Sequence, residues 1–392
     1  MDLKCEEKFY AIYHRMPDGV TFCPYRISPL GAHIDHQWGK INGLAIDRGI
    51  HIAYGAKQNG VIEMESLDFP KRAQFHVRSI EPERVGDWAD YLRGAALGLS
   101  ELYPLRTGLS GVIEGSLPIG GLSSSAAVTI SFLSALCRVN GITLEPQEMI
   151  RLARAAENNY VGVQTGILDQ SCEILGRKDH LLYMDCRDGS FRLIPTNPKM
   201  KPYKIAIIFS GLDRALKNSA YNLRVDECRA AAYDLLAFAG LPYDKLNQTH
   251  LRDVPVEVYE TYKERLPAQF RKRAEHFFTE YKRAEEGAFA WERGDLDAYG
   301  RLVFESGYSS IHNYECGCPE LIRLYEILRE TEGVYGARFS GAGFKGCCMA
   351  LIDPLRAEEI GARVRDLYLK DFPALADKYE FHVCESADGA QL

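Results

Sequence analysis

The sequence predicts an α+β protein of two domains, and three observations carry that expectation. The chain has 392 residues, more than a single hydrophobic core usually serves. Strand-like segments alternate with turn residues early in the first half, and long helical patterns lie in the second. Between them, the turn-rich DGSFRLIPTNPKMKP (188–202) runs into the apolar YKIAIIF, the pattern of a buried strand. The boundary is placed there, giving an N-terminal domain over 1–200 and a C-terminal domain over 201–392. Strands and helices mix in both halves, which argues against a doubly wound sheet.

GIHIAYG (49–55) and RAQFHVRS (72–79) read as strands, and in the second Ala73, Phe75 and Val77 alternate with polar residues. The pattern becomes helical from Leu122 to Cys137, with Gly141 soon after. A further helix starts at Pro146, a residue suited to a first turn, and MIRLARAAENNY carries its apolar stripe. Beyond the boundary, Val225, Cys228, Ala232 and Leu235 mark one helix face, ending at Gly240. Phe270, Ala274, Phe277, Tyr281, Ala284, Ala288 and Trp291 mark another. ARFSGAGFKGCCMALID reads as strand, glycine-rich turn, strand.

A net charge of −7 and a pI near 5.9 disfavour a nucleic-acid surface, while leaving room for a locally positive anion site. The 11 cysteines show no CxxC spacing. The groupings Cys316-Gly-Cys318 and Cys347-Cys348 lack further ligands at zinc spacing and read as buried thiols. The first residues, MDLKCEEKFYAIYHRM, hold no apolar leader core, and no run is long enough to span a bilayer. A reduced, cytoplasmic protein is expected, a monomer with a dimer as the alternative, without membrane or nucleic-acid partners.

Three stretches carry chemistry. SLPIGGLSSSAAV (116–128) sets Gly120 and Gly121 before Leu122, Ser123, Ser124 and Ser125 at a helix start. Paired glycines allow close backbone approach, and a helix N-terminus with hydroxyls suits a phosphate or a magnesium ion. Plain capping needs one serine rather than three. The spacing fits neither a Walker A loop nor a dinucleotide fingerprint. GILDQS (166–171) puts Asp169 beyond the helix of Glu157, where a lone aspartate is by itself a structural cap or turn residue. PYRISPLGAHIDH (24–36) gathers Arg26, His33, Asp35 and His36 around a Gly-Ala pair.

Together with SGAGFKGCC (340–348), these stretches resemble the three ordered motifs of the GHMP kinases, in the galactokinase branch. AYNLRVDEC (220–228), RAEHFF (273–278) and CPEL (318–321) match in order too, so the resemblance spans nearly the whole chain. It implies a ribosomal protein S5 domain 2-like N-terminal domain, a ferredoxin-like C-terminal domain and an active site in the cleft between them. It also implies ATP and Mg2+, with Gly120 to Ser125 as phosphate loop and Ser124 and Glu157 as metal ligands. Asp169 would face the anomeric hydroxyl as base or anchor, and Arg26 the transferred phosphoryl. His33 and Asp35 would hold sugar hydroxyls, and Tyr221 would pack on the sugar. Trp88 and Tyr91 would flank adenine, and Gly341, Gly343 and Gly346 would form the last loop.

One departure bears on substrate. Where galactokinases carry Gly-Glu-His-Thr-Asp-Tyr, this chain has Gly31-Ala32-His33-Ile34-Asp35-His36. The family's glutamate holds the C6 hydroxyl of galactose. Two carboxylates about 4 Å apart repel by roughly 4 kcal/mol at an effective dielectric near 20, about three powers of ten in affinity. Alanine removes that repulsion for a C6 acid, and LGAHIDH and FSGAGF are similar to the galacturonokinase forms. D-Galacturonate phosphorylated at C1 is therefore the expected reaction, with D-galactose as the alternative. Arg214 and His36 are the candidate partners for the acid group. A silent sugar sensor stands behind both readings, because Arg26, Ser123–Ser125, Glu157 and Asp169 are all present.

Overall fold

The computed structural model describes residues 3–212 and 220–392. Two sheets organise it. The larger is built from β1 (Gly19–Leu30), β2 (Lys40–Lys57), β3 (Val61–Ser66), β4 (Ala73–His76), β5 (Gly108–Gly115), β6 (His180–Asp185) and β7 (Phe191–Pro195). The smaller holds β8 (Lys204–Phe209), β9 (Val334–Phe339), β10 (Cys347–Ile352) and β11 (Glu380–Cys384) in the order β11-β8-β10-β9. β2 is the spine of the large sheet. β1 runs antiparallel along one side of it, while β5 pairs with its C-terminal half and β6 with its first residues on the other. Only β3 and β5 pair in parallel among the described strands. The sheets are thus antiparallel in character, as α+β predicts.

The helices follow the sequence patterns with adjusted ends. After α1 (Lys4–Tyr13), α2 (Asp90–Leu102) leads to α3 (Ser124–Asn140), which begins two residues later than expected because Ser123 takes a left-handed φ of 59°. From Ala126 to Cys137 nearly every α3 residue is buried, so the helix is enclosed on all sides. α4 (Pro146–Ala155) runs into a π-helical turn, Ala156–Val161, where the sequence suggested one continuous helix. Asp169 lies in the first turn of α5 (Leu168–Leu175), not in a turn segment. β4 is shorter than the pattern at 72–79: Val77 is buried but hydrogen-bonds Gly60 outside the strand. The rest of the chain supplies α6 (Tyr221–Phe238), α7 (Val256–Tyr262), α8 (Ala268–Arg293), α9 (Leu296–His312), α10 (Pro319–Arg329) and α11 (Ala357–Asp371).

The small sheet divides the interior by its period of two. Ile205, Ile207, Met349 and Leu351 face the core shared with the large sheet, α3 and the end of α8. Ala206, Ile208, Cys348 and Ala350 face a second core under α6, α10 and α11. The C-terminal tail crosses back: Ala387 donates to the Ala45 carbonyl and Ala390 to that of Glu173, so the tail braces α5. Among the described residues no helix is long and apolar enough to cross a membrane, and all 11 cysteines are free thiols.

Candidate active site

Two adjoining cavities flank the phosphate-type loop. One, of about 560 Å³, is lined by Phe69, Trp88, Tyr91, Ile113, Ser124 and Val128 among others. The other, of about 470 Å³, is lined by Arg26, Ala32, His33, Asp35, Asp169 and Tyr221 together with Glu157 and Lys345. Tyr91 and Ser125 border both.

The loop is shaped by its glycines. Gly120 and Gly121 have φ of 146° and 86°, accessible to glycine at little cost. A Cβ on Gly346 would lie 2.8 Å from the Gly120 carbonyl carbon, and one on Gly341 the same distance from Gly121 Cα. The last loop therefore lies directly on the phosphate loop. Ser340 Oγ donates to the Gly121 carbonyl at 2.6 Å, and Ser210 Oγ to that of Gly346 at 2.9 Å. These contacts fix the open N-terminus of α3, where unpaired N–H groups attract anions.

Arg26 reaches the same place from β1. The strand register shifts between Pro24 and Arg26, a bulge of the kind that re-aims a side chain. Its Nε and Nη2 hold Asp169 Oδ1 at 2.8 and 2.7 Å, and Nη1 donates to the Gly121 carbonyl at 3.1 Å. Burial opposes the guanidinium charge, but Asp169 beside it raises its pKa above the ordinary value. One residue thus links aspartate and phosphate loop.

Asp35 faces Asp169. Burial, and then the Asp169 charge, push its pKa up to about 6, although the Leu168 N–H donates to Oδ2 at 3.3 Å. A Cβ on Gly166 would come within 2.1 Å of that oxygen, so glycine makes room for the carboxylate. Gly31 donates to Glu280 Oε1 at 2.7 Å, and the Ala32 carbonyl lies 3.0 Å from His276 Nε2. The loop that presents Ala32 and His33 is thereby hung on α8. Glu280 itself is fully buried, bound to Arg283 and near Arg338. His33 stacks on Tyr314 with centroids 4.3 Å apart, and burial drives its pKa well below the usual imidazole range.

His36 differs from expectation. It is buried outside the lining of the Asp169 cavity, with Nδ1 3.0 Å from Gln37 Nε2 and Nε2 3.2 Å from the Tyr314 hydroxyl. Burial takes its pKa to about 3, so the ring is neutral and offers no charge to a carboxylate. Arg214 lies outside the described residues.

For a divalent cation the donors are hard oxygens. Glu157 is buried in the π-helical turn and accepts from Gln170 Nε2 at 2.6 Å. Ser123 Oγ is buried without a hydrogen-bond partner. Ser125 shares the cavity of Glu157, whereas Ser124 faces the other one. Among the described residues no group of three His, Cys, Asp or Glu could hold a metal. The set suits an ion bound by one carboxylate, hydroxyls and a ligand's phosphates, the habit of Mg2+. The sequence had not pointed to Phe69, Tyr314 or Lys345. Phe69 stacks parallel to Trp88 at 6.0 Å and sits in a stretch with no motif spacing.

The chain matches the GHMP kinases N terminal domain over residues 90–177 and the GHMP kinases C terminal domain over 287–370. It is 41% identical to a galacturonokinase from Arabidopsis thaliana, covering 95% of this chain and 93% of that one. The chain is a GHMP kinase of the galactokinase branch. A galactokinase from Roseiflexus sp. (strain RS-1) is 32% identical, over 98% of this GHMP kinase and 95% of the relative. A crystal structure of Lactococcus lactis galactokinase complexed with galactose superposes with a TM-score of 0.89 at 27% identity, covering 98% of both chains. Mevalonate kinase from Methanococcus jannaschii shares the fold alone, at a TM-score of 0.65 and 17% identity. The two-domain kinase fold expected from the motifs is the fold observed, and ATP use follows from the family.

Proposed function

We propose that this sugar kinase transfers the γ-phosphoryl group of ATP to the anomeric hydroxyl of D-galacturonate, giving D-galacturonate 1-phosphate. The observation that carries the reading is Ala32, lining the sugar-side cavity where galactokinases place a glutamate. Likeness to the Arabidopsis galacturonokinase supports it.

In this reading the larger cavity takes the nucleotide, with Trp88 and Phe69 offering ring faces to adenine. Mg2+, held by Ser125, Glu157 and the nucleotide, would neutralise phosphate charge; Ser125 replaces Ser124 because it shares a cavity with Glu157. Gly120 and Gly121 let the α3 N-terminus approach the phosphates. Arg26 aligns Asp169 and faces the transferred phosphoryl, whose loose transition state needs positioning and charge stabilisation. Asp169 orients the anomeric hydroxyl and takes its proton as the new O–P bond forms and ADP leaves. Asp35 and His33 bind ring hydroxyls. The two domains divide near Met200–Lys201, and a cytoplasmic, monomeric enzyme fits the reading.

The experiment is 31P NMR of D-galacturonate incubated with enzyme and Mg-ATP. A sugar 1-phosphate resonance growing with ADP is expected. ADP formation from D-galactose but not from D-galacturonate would return the enzyme to the galactokinases proper.

A further inference from the structure

The turn that carries Ala32 has an unusual backbone. Gly31 has a φ of 84° and His33 one of 64°, and a positive φ is uncommon for any residue but glycine. Such a backbone persists only where its surroundings over-determine it. A Cβ on Gly31 would lie 2.5 Å from the Lys40 carbonyl oxygen, so the start of β2 closes one side of the turn. The other side is held from α8.

His276 and Glu280 stand four residues apart on α8, hence on one face. His276 Nε2 lies 3.0 Å from the Ala32 carbonyl oxygen, and Glu280 Oε1 accepts from the Gly31 N–H at 2.7 Å. A carbonyl can only accept, so Nε2 carries the ring proton. Burial takes the pKa of His276 to about 4, leaving a neutral ring whose Nδ1 is an acceptor. Ser309 Oγ donates to it at 3.0 Å and receives in turn from Asn313 Nδ2 at 3.2 Å. A second branch runs the same way. Arg338 Nη1 donates to Ser306 Oγ at 2.9 Å, and Ser306 Oγ to Glu280 Oε1 at 2.7 Å. Arg283 Nε holds the other oxygen of that carboxylate at 2.8 Å. Each donor and acceptor in the two branches therefore has one orientation, set from α9 and β9. Neither His276 nor Glu280 lines the cavity of Asp169.

We infer that His276 and Glu280 are positioning residues for sugar recognition: from outside the cavity they hold the Gly31–His33 turn in the shape that presents Ala32 and His33 to the sugar. This rests on the reading that the cavity of Ala32, His33 and Asp169 takes the sugar, but not on which sugar it takes. A turn released from α8 has to be ordered at each binding event, and apparent affinity falls with the fraction already in the competent shape. The nucleotide shares neither hydrogen bond and should not register the change.

The test is steady-state kinetics of His276→Phe, His276→Gln and Ser309→Ala, with the sugar that the wild type phosphorylates. Phenylalanine fills the ring volume but donates nothing, whereas glutamine carries a donor and an acceptor as neutral imidazole does. His276→Phe should raise KM for the sugar about tenfold, the effect of leaving one buried carbonyl unpaired, with KM for ATP within about twofold. His276→Gln should recover most of that loss. Ser309→Ala keeps the ring but frees its tautomer, and should raise KM for the sugar about threefold. Sugar and ATP KM values that rise together would overturn the inference, pointing to general structural damage. So would an unchanged sugar KM, or a failure of glutamine to recover it. Should His276→Phe not fold, Ser309→Ala decides, and an unmoved sugar KM there overturns the inference. A wild type that phosphorylates D-galactose but not D-galacturonate would defeat the galacturonate reading instead, and the same variants then test the clamp with galactose.

Discussion

The two cavities of this kinase are built on different physics. The cavity proposed for the nucleotide has an apolar wall of Phe69, Trp88, Ile113 and Val128, with Asp68, Asp377, Lys378 and Glu380 also in its lining. The sugar side is a balance of charges, with Arg26 and Lys345 set against Asp35, Glu157 and Asp169. An apolar wall tolerates substitution with graded loss, because contact area is lost piecemeal. A charge balance does not, because deleting one member leaves another buried and unpaired. Substitutions on the sugar side should therefore act steeply, and those on the nucleotide side gently.

The steepest case is Asp169. Asp169→Ala should lower kcat by about three powers of ten or more, close to 4 kcal/mol, with the fold kept by circular dichroism. Activity within a few-fold of wild type would remove Asp169 from the role given to it. Arg26 then loses its partner, so some loss of thermal stability should accompany the change.

Trp88 probes the gentler side. Its ring stacks beside Phe69 while Nε1 donates to the Lys71 carbonyl at 2.9 Å. Trp88→Ala should raise KM for ATP about tenfold, the worth of one base stack, and leave KM for the sugar within twofold. A matching rise for the sugar would mean that the cavities are not separable.

The smallest effect concerns Asp35, the exception on the sugar side, because asparagine keeps its shape and removes a charge that burial and Asp169 already oppose. Its carboxyl, raised from 3.8 to about 6, prefers the neutral form in the fold. The stability this gives is present in full below the unfolded value and is lost as pH rises through about 6. Asp35→Asn should therefore melt a few degrees higher than wild type at pH 8, a gain of order 1–2 kcal/mol for a group that is only half-buried. Sugar binding runs the other way, since hydroxyls donate to the ionised form. The kcat/KM for the sugar should drop several-fold below pH 6 in wild type and lose that inflection in Asp35→Asn. A flat wild-type profile from pH 5 to 8 would contradict the shift.

Much of this contrast was legible in the sequence, and unevenly. The phosphate loop could be read because its requirements are local: glycines and serines at fixed spacing before a helix. Arg26, Asp169 and Asp35 became readable once the motifs were taken in order, since their meeting depends on β1, α5 and a bulge that no short pattern encodes. The π-helical turn at Glu157 carries no compositional signal, and the helical periodicity of MIRLARAAENNY simply runs through it. The burial of His36 beside Gln37 and Tyr314, outside the lining of the Asp169 cavity, could not be read locally, because Tyr314 is 278 residues away. The crossing of the tail onto α5 is likewise a long-range backbone contact.

The central claim is that alanine at position 32 sets the preference for a sugar acid. Its most direct test is the kcat/KM ratio for D-galacturonate over D-galactose, with Mg-ATP at one ionic strength, in wild type and Ala32→Glu. The account predicts a wild-type ratio of a hundredfold or more, and a shift toward galactose by about three powers of ten in the variant, in keeping with the roughly 4 kcal/mol repulsion between neighbouring carboxylates. A wild type that favours galactose, or a ratio unmoved by the glutamate, would contradict it.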